Sequence, residues 1–281
     1  MTVPALLRKL EAMLAGTEDP SAEAREIVAS VLDCTPNVLR LKRDDPLSEQ
    51  QVDAARSMAK RRTSGEPLQY ILGSWSFMGR EYTVGEGVLI PRDDTEVLVG
   101  EALRLIKPLP RPFIVDLCAG TGIIAITLEQ ELGDATVFAV EKSPEAFAYL
   151  TQNIERNRSR VKAICADLAD CTADFADNSL DMIVSNPPYI RSDEIAELQK
   201  EVQYEPRLAL DGGESGCDFY ELILRLWTKK LKDGGAVAFE LGEGQFDDVA
   251  ELLKAAGYTN ITGYPDIQGI TRAVTAILVK G

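Results

Sequence analysis

Histidine is missing from all 281 residues. Its absence removes Ser-His and Cys-His nucleophilic pairs, along with the commonest side-chain ligand of transition metals. Whatever chemistry the chain performs must do without imidazole. Cysteine is scarce: Cys34, Cys118, Cys165, Cys171 and Cys217 are odd in number and form no C-x-x-C pair. Neither a disulfide framework nor a zinc ribbon is therefore expected, most of these cysteines should be small core residues, and no metal site is predicted. Long apolar runs are lacking too. No stretch reaches the ~20 uninterrupted apolar residues of a membrane-spanning helix, and the amphipathic N-terminus carries Lys9 and Glu11 inside its apolar pattern. A soluble, cytoplasmic chain with no membrane partner is expected.

Positive charge is also in deficit, with 30 Lys and Arg against 45 Asp and Glu for a net charge of −15. The deficit is uneven: residues 1–70 hold 10 basic and 11 acidic side chains, which leaves 20 against 34 for the remainder. So acidic a C-terminal portion repels a nucleic-acid backbone, and direct nucleic-acid binding is not expected. What the chain does have is 45% hydrophobic residues, enough for one large domain and a small one.

Residues 1–64 read as short helices. Leu6, Leu7, Leu10, Met13 and Leu14 share one helical face, Asp19-Pro20 and Thr35-Pro36 each offer a cap followed by proline, and Ser48-x-x-Gln51 resembles a capping box. A small helical bundle follows. Residues 65–92 are punctuated by Gly65, Pro67, Gly73, Gly79, Gly85 and Gly87 between short aromatic and β-branched runs, as in a linker containing a hairpin. Residues 93–281 form the third segment. Apolar strand candidates at 113–117, 136–141, 161–166, 180–185 and 235–241 alternate there with helical stretches, which predicts a doubly wound parallel sheet. The last two candidates, 259–264 and 272–279, have no helix between them. The expected fold is thus α/β, a seven-stranded sheet whose last strand runs antiparallel.

The run Phe113-Ile-Val-Asp-Leu-Cys118-Ala119-Gly120-Thr121-Gly122 passes from a buried strand through a glycine turn into a helix, where a nucleotide-like ligand approaches backbone in doubly wound folds. Gly120 and Gly122 permit that approach. Nineteen residues after Gly122 the next strand ends at Glu141, whose carboxylate can accept both ribose hydroxyls. A third strand ends at Asp167-Leu168, a polar and an apolar group suited to an adenine amino group and ring face. Ala125 stands where the third glycine of a dinucleotide fingerprint would be, which disfavours NAD.

Asn186-Pro187-Pro188-Tyr189 follows the fourth strand directly. Two prolines fix φ and hold the chain extended, presenting the Asn186 carboxamide and the Pro187 carbonyl at a strand's carboxyl end. A planar NH₂ group could donate one proton to each oxygen and pack on Tyr189. Held in this way, its nitrogen would face a methyl group bound beside it. Methyl transfer from a sulfonium needs no protein nucleophile, which suits a chain lacking histidine, so positioning can carry the catalysis.

These features resemble the release-factor glutamine methyltransferase family, PrmC/HemK. Matching stretches are Gly65-Glu-Pro-Leu-Gln-Tyr-Ile-Leu-Gly73, Ile90-Pro-Arg-Asp-Asp-Thr-Glu96, the glycine turn, Asn186 to Ile190, Glu205-Pro-Arg-Leu-Ala-Leu-Asp-Gly-Gly213 and Glu240-Leu-Gly-Glu-Gly-Gln245. The resemblance implies a class I methyltransferase that uses S-adenosylmethionine to methylate the N5 nitrogen of the glutamine in a release factor's Gly-Gly-Gln motif, and a helical N-terminal domain that helps recognise that factor. It implies cofactor binding by Cys118, Ala119, Gly120, Thr121, Gly122, Glu141, Asp167, Leu168 and Asn186, substrate binding by Asn186, Pro187, Pro188 and Tyr189, and catalysis by Asn186, Pro187 and Tyr189. Two departures stand out: Cys118 where the family usually has glycine, and Asp93-Asp94 where it usually has Pro-Glu. Two other readings remain, an adenine-N6 methyltransferase and a non-catalytic cofactor-binding adaptor. The first lacks a base-flipping context, and the second has no evident use for Asn-Pro-Pro-Tyr.

Overall fold

The computed structural model describes residues 1–280 and divides into two compact units. The first comprises Met1–Ser74 together with Gln199–Tyr204, a segment from much later in the chain. Its helices are α1 (Val3–Met13), α2 (Pro20–Val31), α3 (Glu49–Thr63) and the short α4 (Leu68–Leu72), with a 3₁₀ helix at Pro36–Lys42. The start signals work as their chemistry requires. Asp19 Oδ1 accepts from the Ala22 N–H at 2.9 Å, and Ser48 and Gln51 exchange both bonds of a capping box. Thr35-Pro36 opens the 3₁₀ helix without a side-chain cap.

Leu6, Leu10 and Leu14, one turn apart along α1 and its C-cap, pack against Ala24, Ile27 and Val28 of α2 and Val52, Ala55 and Ala59 of α3. Met13 falls off this face and is 41% exposed, so the buried stripe is narrower than the spacing suggested. Arg62 is the buried charge of this unit. Its guanidinium donates to both carboxylate oxygens of Glu23 at 2.9 and 2.8 Å and to Glu201 Oε1 at 2.5 Å, so residues 199–204 are fixed to the helices by an ion pair.

The second unit comprises, among the described residues, 75–198 and 205–280. It holds all but the first residue of a hairpin of β1 (Ser74–Phe77) and β2 (Arg80–Thr83), followed by α5 (Thr95–Ile106), β3 (Phe113–Leu117), α6 (Ile123–Leu132), β4 (Thr136–Glu141), α7 (Pro144–Arg156), β5 (Lys162–Cys165), β6 (Leu180–Ser185), α8 (Arg207–Leu210), α9 (Asp218–Trp227), β7 (Leu231–Glu240), α10 (Phe246–Ala255), β8 (Tyr258–Pro265) and β9 (Thr271–Leu278). The sheet runs β5-β4-β3-β6-β7-β9-β8. Strands β3 to β7 pair in parallel, and β9 inserts antiparallel between β7 and β8.

Side chains alternate between two apolar layers, as a period of two requires. Val115, Ile183, Val237 and Phe239 join α9 and α10 on one face, whereas Ile114, Met182, Val184, Ala236 and Ala238 join α5 and α6 on the other. The cysteines are less buried than expected. Cys171 and Cys217 lie in the core, Cys34 and Cys118 are half-buried and Cys165 is exposed, all of them free. No helix among the described residues is long and apolar enough to cross a membrane.

The Arg62 pair yields a test. Arg62→Ala should destabilise the protein by about 3 kcal/mol, because Glu23, only 12% exposed, keeps its charge without a partner. Arg62→Met combined with Glu23→Leu should recover much of that loss. Urea unfolding of both variants checks the expectation, and equal stabilities would refute it.

Candidate active site

Strand order places the site. β3 and β6 are neighbours, and the chain leaves β3 toward β4 on one side but β6 toward β7 on the other, which opens a crevice at their carboxyl ends. The glycine turn leaves β3, Glu141 ends β4, and Asn186 follows β6. One cleft is walled by Cys118, Ala119, Gly120, Thr121, Glu141, Asp167, Leu168, Asn186 and Pro188. The expected cofactor and substrate residues thus meet, except that Gly122, Pro187 and Tyr189 do not line the cleft wall.

The two glycines of the turn have different reasons. Gly122, at φ 83°, caps α6, and a Cβ there would overlap Leu150 Cδ1. Gly120, at φ 54°, has no neighbour nearer than 3.9 Å to such a Cβ. Its need is the left-handed backbone, and its N–H donates to Glu141 Oε2 at 2.8 Å. Cys118 also sits left-handed, at φ 61°, a conformation that suits the glycine usual at this position and is strained for cysteine. Burial and the nearby Glu141 and Asp116 carboxylates push its thiol pKa upward, which leaves it a poor nucleophile.

Glu141 is 8% exposed. Besides the Gly120 bond, its Oε1 accepts from the Ser143 N–H at 2.7 Å. Burial raises its pKa, and the N–H groups of Ser143, Gly120 and Lys142 counter that rise. No ion pair reaches it among the described residues, so a buried carboxylate faces the cleft with lone pairs to spare. Asp167 is held differently. Lys142 pairs with it at 2.8 Å and the Ala169 N–H donates at 2.8 Å, which together keep its pKa low. The Leu168 carbonyl accepts from Trp227 Nε1 at 3.0 Å, fixing that wall from the core side.

The backbone after Asn186 is clamped. Ile190 N–H donates to Leu210 O at 2.9 Å, Gly212 N–H returns to Ile190 O at 2.8 Å, and Gln245 Nε2 donates to Tyr189 O at 2.9 Å. Gly212 packs so closely that a Cβ would stand 2.7 Å from Tyr189 Cα, which explains the glycine in the Glu205–Gly213 stretch. Glu205, 4% exposed, accepts from the Ile90 N–H at 2.9 Å and pairs with Arg92, binding the irregular segment 88–92 to the same loop.

Tyr189 differs from expectation. Its hydroxyl donates to Glu240 Oε1 at 3.3 Å, and burial pushes its own pKa up. Glu240 lies 1% exposed at the end of β7 and also accepts from Thr95 Oγ1 at 2.6 Å. Glu205, Thr95 and Glu240 had no assigned role in the sequence. Their motif stretches were visible, but side chains more than a hundred residues apart meet only after folding. Asp94 pairs with Arg272 at 3.1 Å, so the Asp93-Asp94 departure retains a charged contact.

Gly122→Ala should cost roughly 2–4 kcal/mol, through strain plus overlap with Leu150. Gly120→Ala should cost about 1 kcal/mol, from strain alone. Thermal melts rank the two, and the reverse order would contradict the separate roles.

Comparisons with known proteins bear on the family and the fold. The description "PrmC N-terminal domain" matches residues 5–73, and "Methyltransferase small domain" matches residues 97–205. Release factor glutamine methyltransferase from Geobacter sulfurreducens is 39% identical over 92% of this chain and 90% of its own. The protein of that name from Corynebacterium glutamicum is 35% identical over 98% and 99%. Among solved structures, a methyltransferase from Pyrococcus furiosus shares the fold at a TM-score of 0.53 with 18% identity, covering 80% of this chain and 99% of that one. With identity of this order along nearly its whole length, the chain belongs to the release factor glutamine methyltransferase family.

Proposed function

We propose that the protein methylates the N5 nitrogen of the glutamine in the Gly-Gly-Gln motif of peptide chain release factors, with S-adenosylmethionine as the donor. One observation carries this reading: Asn186 and Glu141 face a single cleft from nearby strand ends. The residues present fit the cofactor, since the buried Glu141 carboxylate has no cation partner among the described residues and suits a pair of ribose hydroxyls. Backbone of the 118–122 turn would hold the nucleoside and methionine side, and Asp167 with Leu168 the adenine. When bound, S-adenosylmethionine supplies a sulfonium methyl that a nitrogen lone pair can accept.

The chain's own contribution is orientation. An amide nitrogen is weakly nucleophilic because its lone pair is delocalised, so fixing both its protons at acceptors matters unusually much. Those acceptors are Asn186 Oδ1 and the carbonyl of Pro187, which is outside the cleft wall itself but sits in the chain between two residues that line it, Asn186 and Pro188. Tyr189, bonded to Glu240, holds the turn that carries them. The two prolines remove backbone freedom before substrate arrives.

Two acceptors recognise an amide but cannot tell one exposed glutamine from another. Residues 1–64, helical and close to neutral, are the docking module in this reading.

Mass spectrometry of a purified release factor, incubated with the protein and S-adenosylmethionine, should find one methyl on the Gly-Gly-Gln glutamine. Asn186→Ala should slow that transfer by roughly 10²-fold or more with the fold intact, and near-normal turnover would remove Asn186 from the mechanism. An adenine-containing oligonucleotide in the same assay should gain no methyl.

A chain starting at Gly65, once shown by melting and cofactor titration to be folded, should still bind S-adenosylmethionine. It should methylate intact release factor far more slowly than the full chain does. Full-length rates from it would make the helices a stabilising element instead.

A further inference from the structure

We propose that Glu240 is a positioning residue for Asn186. Its buried carboxylate draws the Asn186 NH₂ toward itself, and this turns the Asn186 carbonyl oxygen toward the substrate amide. The proposal rests on the methyl-transfer reading above and adds the device that selects one of two amide orientations.

An asparagine side chain offers a donor on one side and an acceptor on the other, and the two faces exchange by rotation about a broad, two-fold torsion. In one orientation Oδ1 meets the substrate NH₂. In the other, NH₂ meets NH₂ and the substrate amide keeps only one of its two acceptors, the Pro187 carbonyl. A neighbour that only accepts can choose between them.

Glu240 is such a neighbour. It ends β7, which pairs in parallel with β6, the strand that delivers Asn186. Its carboxylate is 1% exposed and accepts from Thr95 at 2.6 Å and from Tyr189 at 3.3 Å, and the Asn186 side chain donates to it as well. A flipped Asn186 would set carbonyl oxygen against carboxylate oxygen in a dry site, where that repulsion is strong. Thr95 donates to Oε2 and Tyr189 to Oε1, so each oxygen is tied and the carboxylate is held against turning away.

The charged groups around Glu240 come from several elements. Asp94 precedes α5, Arg272 of β9 pairs with Asp94 and Asp266 at 3.1 Å each, and Arg92 and Arg272 both act on Tyr189. Burial is the main reason the Glu240 carboxyl titrates at about 7, with the Thr95 bond opposing the rise and the Asp94 charge adding to it. Once protonated, Glu240 can donate, and the selection of the Asn186 orientation is lost. The orienting effect is therefore present above the Glu240 pKa and fades as pH falls through it.

Two readouts test this. Glu240→Gln, which keeps the shape but offers a donor on one side, should lower kcat by roughly 10-fold or more while leaving affinity for S-adenosylmethionine unchanged. Independently of any substrate, the Asn186 side-chain amide cross-peak in a ¹⁵N spectrum, assigned by its loss in Asn186→Ala, should move with pH and show an inflection near 7. That movement should vanish in Glu240→Gln. A kcat within about twofold of the parent, or a cross-peak that does not titrate, overturns the proposal. Should Glu240→Gln fail to fold, Asp94→Asn decides the matter. Removing that like charge should shift the inflection to lower pH, and an unmoved inflection overturns the proposal. A parental protein that forms no methylglutamine refutes the methyl-transfer reading, while the cross-peak still decides the role of Glu240.

Discussion

Parallel pairing of β3 with β6 is the constraint on which the site depends. The register ends with Leu117 opposite Ser185, and the Ser185 hydroxyl donates to the Leu117 carbonyl at 2.5 Å. Both chains consequently leave the sheet at one level, with Cys118 next on one and Asn186 next on the other. A slip of one residue would turn each strand's side chains to the opposite layer. Ile114 with Val115 and Met182 with Ile183 pack into different layers, so apolar burial on both faces holds the catalytic register.

A second theme is the concentration of buried carboxylates at this end of the sheet. Asp116, Glu141, Glu205 and Glu240 are all buried, and burial raises the pKa of each. Backbone N–H groups offset part of the cost: Ala125 at 3.1 Å for Asp116, Gly120 and Ser143 for Glu141, Ile90 for Glu205. For an acid whose folded pKa lies above its unfolded one, the native state binds more protons. Stability is then greatest at low pH with respect to these groups, and it declines as pH rises from the ordinary carboxylate range through the raised pKa of each, which for Glu240 is about 7. The site is built at some expense to the fold.

Most of the fold could be read from the sequence because local pattern and burial coincide. The spans 113–117, 136–141 and 180–185 are mostly apolar, with few polar residues such as Asp116, Glu141 and Asp181, and agree with β3, β4 and β6. β7 begins at Leu231, before its apolar run, because Lys232, Asp233 and Gly234 form an exposed lead-in that carries no strand pattern. α4 was hidden for the opposite reason, since five helical residues between Pro67 and Gly73 are too few to show a period. At the site, Asn186 and Glu141 could be found from their places at strand ends. Glu240 and Glu205 could not, because their partners Thr95, Ile90 and Arg92 lie far away in sequence. Tyr189 has its hydroxyl on Glu240 for the same reason, which spacing alone does not reveal.

The Arg62–Glu201 pair has a consequence for biosynthesis. The helices of the first unit are complete once Leu72 has been made, yet the carboxylate that closes on Arg62 is 139 residues away in the chain. At ribosomal speed that interval lasts on the order of ten seconds. Throughout it the nascent helices have Glu23 as their counter-charge for Arg62 and only part of their final surface. The N-terminal unit is thus the first to be translated but cannot be finished until synthesis has passed Glu201, well into the second unit.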